Sequence, residues 1–293
     1  MNYLYFTYTL NGLLMIAMPI ALAVYLTRHF RTGWRLVWIG AVTFVFSQIG
    51  HIPFNYLLTA LFKNSTLPTP PEEYVLIFNA IVLGLSAGLW EECARYLMYR
   101  WWAKDARSWG KGLVLGAGWG GIESFILGLV FLFTLVQMIV LRNADLTTLI
   151  PAEQLALAQQ QVNVFWSQPW FASILGAMER AFAICFHLSA SVLVLQAFTR
   201  KQIRWLFMAV LWHTVFNSIA LFSAGTWGPY VAEIFIGVMA IISLGIVFAL
   251  KEPEPDIKAG ETEGPPPVKD ADSIRSDRES QISEEILEKS RYN

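Results

Sequence analysis

The chain has 293 residues, 55% of them hydrophobic and only 15% charged, with a net charge of −1 and a mean hydropathy of +0.47. A soluble domain carries roughly a quarter charged residues, so a water-soluble globule is excluded. Nineteen of the Asp, Glu, Lys and Arg residues crowd into 251–293, and no basic stripe of the kind that grips nucleic acid runs through the rest.

A membrane helix needs about 20 mainly apolar residues. Seven stretches qualify: 3–26, 34–62, 74–102, 109–141, 170–199, 203–223 and 228–250. The expected fold is therefore all-α, a polytopic membrane bundle of about seven helices over 1–250. The N-terminal residues lack the positive region of a cleavable signal and read as the start of the first span. Pro53 marks a kink site in the second. Lys63 to Pro71 has loop chemistry. The 142–169 connection contains Pro151 followed by an amphipathic run, a short interfacial helix. Residues 251–293, rich in Pro, Ser and charge, cannot bury a core and read as a disordered tail.

Orientation follows from Lys and Arg in the short loops. The first linker has Arg28, Arg31 and Arg35, the third Arg100, Lys104, Arg107 and Lys111, and the fifth Arg200, Lys201 and Arg204. The second and fourth have one each, Lys63 and Arg142. A multi-pass cell-membrane protein with an outer N-terminus and a cytoplasmic C-terminus is expected, with the lipid bilayer as its constant partner.

Charge inside a span costs on the order of 2.5–3.5 kcal/mol, so each such residue needs a partner or a job. Glu91, Glu92 and Glu123 lie within spans, as do His187, His213 and Asn217. At about 1.5 Å per residue from the cytoplasmic ends, all six fall about 12–20 Å deep. Four helices thus deliver polar groups to one layer. Arg95 is i,i+4 from Glu91 and i,i+3 from Glu92, within reach of either. His213 and Asn217 share a helical face, as do Arg180 and His187. Gly116, Gly118, Gly120 and Gly121 precede Glu123 and invite close packing against the third or fifth span.

This set can do hydrolysis without a covalent nucleophile. One carboxylate activates water, Arg95 holds the other anionic, and imidazole and amide groups steady an oxyanion. The same residue types could instead bind a divalent metal such as zinc through Glu92, His187 and His213. Cys93, flanked by carboxylates, makes a poor nucleophile, and Cys185 does not share a face with His187. His51, beside Pro53, reads as a residue satisfying freed backbone groups. Glu179, Arg180 and Glu233 read as lying near the outer boundary.

Glu91-Glu92-Cys-Ala-Arg95 resembles the first motif of the membrane-protease superfamily that includes the CAAX proteases, PrsW and YhfC. The PrsW form is Glu-Glu-x-x-Lys and the CAAX form Glu-Glu-x-x-x-Arg, so the spacing here departs from the CAAX pattern and a prenylated substrate is not implied. Glu123 within GWGGIES resembles the second PrsW motif. Arg180 to His187 resembles a later Arg…His motif, and His213-Thr-Val-Phe-Asn217 the terminal His-x-x-x-Asn/Asp motif. The overall resemblance, over roughly 10–250, is to the YhfC family. It implies a glutamic-type intramembrane protease acting on a membrane protein or peptide, with Glu91, Glu92, Arg95, Glu123, His187, His213 and Asn217 as its site and no cofactor expected. A proton-coupled transporter using the same Glu/His cluster, and an inactive membrane scaffold, stay open as alternatives.

Overall fold

The computed structural model describes residues 2–252. The expected disordered tail lies, beyond residue 252, outside that range. Nine α-helices occur among the described residues: α1 (Asn2–His29), α2 (Arg35–Lys63), α3 (Val75–Trp101), α4 (Trp109–Asn143), α5 (Leu146–Leu149), α6 (Ala152–Ser167), α7 (Leu175–Thr199), α8 (Arg204–Trp227) and α9 (Pro229–Ala249). Seven are long and apolar enough to cross a bilayer, and they coincide with the seven stretches read from hydropathy.

The helices start and stop for local reasons. The Ser108 side chain accepts from the Lys111 backbone N–H and caps α4. Asp145 does the same for α5 through Thr147. Pro229 occupies the first turn of α9, where its missing N–H costs nothing. α2 runs on through Pro53 to Lys63. The 142–169 connection holds two helices, α5 and α6, with Pro151 at the N-cap of α6.

α7 is the central span. Its most apolar stretch is 72% buried, against 17–39% for the others, and it touches α1, α3, α4, α8 and α9. Since lipid is as apolar as leucine, close approach rather than hydrophobic contrast holds such helices together. Glycines supply it. A Cβ at Gly88 of α3 would stand 2.8 Å from the Val210 carbonyl oxygen of α8. One at Gly120 of α4 would stand 2.9 Å from the His187 Cβ and Cδ2 atoms of α7. The glycine run of α4 therefore packs against the fifth span, as one of the two expected options. Its other side meets α2 rather than α3: a Cβ at Gly118 would strike the Val37 carbonyl. These two seams, α3 on α8 and α4 on α7, set the polar residues facing one another.

Candidate active site

Glu92 and Arg95, one turn apart on α3, are both 0% exposed. Glu92 Oε2 lies 3.3 Å from Arg95 Nε, and Oε1 lies 2.7 Å from His213 Nδ1 on α8. Of the two glutamates within reach, Arg95 pairs with Glu92. Its guanidinium stacks 4.2 Å over the Trp119 ring and donates to the His187 carbonyl oxygen at 3.3 Å. One further nitrogen, Nη2, stands 3.4 Å from His187 Nδ1. A buried cation is thus met by a carboxylate, a π face and carbonyl and imidazole acceptors, which is what its desolvation requires.

Glu91 points elsewhere and makes no ion pair among the described residues. Trp119 Nε1–H donates to its Oε2 at 3.1 Å, and Gln48 Nε2–H of α2 donates to its Oε1 at 3.2 Å. Across the site, Glu123 Oε2 stands 2.7 Å from His187 Nε2, and Glu123 Oε1 accepts from Arg180 Nη1 at 2.9 Å. Arg180 also donates to Glu179. The His187 and His213 rings are 6.2 Å apart, with Phe186 against both at 5.0 and 4.8 Å.

Between these groups lies a cavity of about 90 Å³, lined by Glu91, Glu123, Glu179, Arg180, His187, His213 and Asn217 together with Phe186, Phe216 and Ile236. It is roomy enough for water and rich in partners for it. Glu92 and Arg95 do not line it. All seven residues singled out from the sequence fall in this one constellation, five in the cavity wall and two behind it.

Arg180 and Glu233 lie within the first two turns of α7 and α9 and are buried. Arg180 is ion-paired to Glu123 and Glu179, and Glu233 Oε2 has no hydrogen-bond partner among the described residues. One reading needs correction. His51 does not serve backbone groups; its ring nitrogens meet the Gln48 and Asn55 side chains. Trp119 and Gln48 were not foreseen. A tryptophan amid glycines, far from either end of its span, was the available signal, since interfacial anchors sit near helix ends.

A family model described as YhfC intramembrane metalloprotease matches residues 14–243. The chain belongs to the YhfC family. The membrane protein YhfC of Bacillus subtilis (strain 168) is 29% identical over 250 residues, which span 83% of this chain and 93% of that protein. No solved structure matches the chain significantly. The YhfC family is one of intramembrane proteases, in agreement with the reaction class expected from the residues.

The family's description also names a metal, and the donors can be tested for it. Glu92 Oε1 is hydrogen-bonded to His213, and Oε2 faces the Arg95 cation at 3.3 Å without a hydrogen bond among the described residues. His187 has its nitrogens engaged by Arg95 and Glu123. Arg95 would stand as a second cation against any ion held by Glu92 and His187. Among the described residues, no three His, Cys, Asp or Glu side chains converge as metal ligands. In this YhfC-family chain the donors, as arranged, do not fit a resident metal.

Proposed function

We propose that the chain is an intramembrane peptidase that hydrolyses a peptide bond of a membrane-embedded or membrane-proximal substrate with water activated by Glu91. One observation carries the assignment: Glu91 opens onto the polar cavity, whereas Glu92 is sealed behind it by Arg95 and His213.

Glu91 takes a proton from water as the water oxygen attacks the carbonyl carbon. The oxyanion that forms accepts hydrogen bonds from the Asn217 amide and from His213 Nε2–H, with Glu92 offsetting the imidazolium charge through Nδ1. The proton on Glu91 passes to the leaving nitrogen, the C–N bond breaks, and an acid and an amine depart. Glu123 and Arg180 clamp the His187 ring, which forms the opposite wall.

The reading includes a cell-membrane location with the N-terminus outside. It is tested by reconstituting the protein with membrane-protein fragments from the same cells and identifying new termini by mass spectrometry. Cleavage by the native chain, lowered roughly a hundredfold or more in Glu91→Gln, is the expected result. Metal analysis of the purified protein, with cleavage measured after chelation, separates the two mechanisms. Stoichiometric metal, with activity lost on chelation and restored by zinc, overturns the metal-free route.

A further inference from the structure

A chain of hydrogen bonds runs from Glu91 along the seam between α2 and α3. Gln48 Nε2 meets Glu91 Oε1 at 3.2 Å, and Gln48 Oε1 meets His51 Nδ1 at 3.2 Å. His51 Nε2 meets Asn55 Nδ2 at 2.9 Å, and Asn55 Oδ1 meets Ser86 Oγ at 2.6 Å. Gln48, His51 and Asn55 are spaced i, i+3 and i+7, so one face of α2 carries all three. His51 and Ser86 are buried.

The chain has one direction. An ionised Glu91 can only accept, so Gln48 must turn its NH₂ toward it and its oxygen toward His51. His51 must then carry its proton on Nδ1 and accept at Nε2. Asn55 must present its NH₂ to that nitrogen, and its oxygen accepts from the Ser86 hydroxyl. The second Gln48 hydrogen has its own acceptor, Ser47 Oγ at 3.3 Å. Every link is satisfied in this order, and reversing any one leaves two donors or two acceptors face to face.

We propose that His51, Asn55 and Ser86 are positioning residues for Glu91. They fix the orientation of the Gln48 amide and, through it, the hydrogen bond that holds the carboxylate toward the cavity. Their reach extends to Ser86, three hydrogen bonds removed from Gln48. The inference rests on Glu91 being the base, but its first test does not.

That test is nitrogen NMR of the full chain in lipid nanodiscs with ¹⁵N-labelled histidine, the His51 signals being assigned by their loss in His51→Gln. The expected result is a neutral ring protonated on Nδ1, the less common tautomer of a free histidine. A ring protonated on Nε2 overturns the proposal, as does an imidazolium. A second arm uses Asn55→Asp and Asn55→Leu at about pH 9, above the ordinary imidazole range. Aspartate can only accept, so it draws the His51 proton to Nε2, turns the Gln48 oxygen toward Glu91 and reverses the chain. Leucine fills the space and leaves the remaining links in order. With fluorescently labelled casein as the probe, Asn55→Asp should lower kcat about tenfold with KM little changed, and Asn55→Leu no more than about threefold. Equal losses in the two variants, or a larger loss with leucine, reduce these residues to packing and overturn the proposal. The tautomer is read without turnover. A wrong tautomer therefore sinks the chain and leaves Glu91 as the base, whereas a fully active Glu91→Gln sinks the base and leaves the tautomer result standing.

Discussion

At Glu92, one oxygen faces the Arg95 guanidinium, the other faces His213, and no surface is left to water. At Glu91, both oxygens accept from neutral N–H groups and the carboxylate borders the cavity. Neighbouring glutamates on one helix are thereby given different work, and their amides should fail differently. Glu91→Gln should lower turnover by a factor of roughly 10² to 10⁴, the range for a lost general base, with thermal stability near that of the native chain. Glu92→Gln strands a buried guanidinium and should cost about 3–5 kcal/mol of stability. Detergent-unfolding curves beside cleavage rates separate the two; equal stability losses would contradict the division. Trp119 tests the same geometry from the other side. Trp119→Phe keeps an aromatic face for Arg95 but removes the N–H to Glu91, so cleavage should fall about tenfold while the fold persists. An unchanged rate would mean that this hydrogen bond does not set the base. From the sequence, i,i+3 and i,i+4 spacing allowed Arg95 to take either glutamate. The choice is made by Trp119 and His213, which reach α3 from α4 and α8, helices far apart in the chain, and helical spacing alone cannot rank such contacts.

The helices were legible because each is a long apolar run ended by turn residues, and bilayer thickness leaves little freedom in length. Which helix touches which was less legible. The glycine run of α4 announced close packing, yet it has two sides, and both are used, toward α7 and toward α2. This predicts a graded response along one helix. A methyl group at Gly118 would stand 2.1 Å from the Val37 carbonyl oxygen, and one at Gly40 would stand 2.3 Å from that of Leu115. Backbone cannot yield as a side-chain tip can, so Gly118→Ala and Gly40→Ala should each destabilise by about 1–3 kcal/mol or more. Gly121→Ala meets only the Pro19 Cβ at 3.3 Å, and Gly245→Ala meets nothing within 4 Å; both should fold normally. The comparison is read from the midpoint of unfolding in a denaturing detergent. Similar gains at all four positions would show that helix propensity, which favours alanine, and not the α2–α4 seam, governs the result.

Across the whole molecule, the basic loops gather at one end of the bundle. Arg35 of the first linker binds Asp105 of the third at 3.0 Å and also donates to the Trp102 carbonyl oxygen. Trp109 at the start of α4 donates to the Val247 carbonyl oxygen near the end of α9, and Arg200 after α7 lies 3.7 Å from Glu252. These loops therefore share one end of the bundle, and that end holds the basic linkers, while Lys63 and Arg142 stand in the loops of the other. A membrane-wide charge bias retains basic loops on the cytoplasmic side, so the end joined by Arg35 and Asp105 should face the cytoplasm. With Cys93 and Cys185 replaced by serine, Thr66→Cys should react with a membrane-impermeant maleimide on intact cells. Lys104→Cys should react only once the membrane is opened, and the opposite pattern would invert the topology. A consequence for substrate follows. Glu91 lies ten residues before Trp101, the end of α3 that faces the basic loops, or about 15 Å along the helix. It lies farther from Val75 at the other end. A spanning substrate would then be cut in its cytoplasmic half, releasing a short fragment inward and keeping the longer apolar fragment in the bilayer. Mass spectrometry of the new termini would show this. Cuts clustered near the outer face would mean that the substrate reaches Glu91 from the side where Glu179 and Arg180 close the cavity.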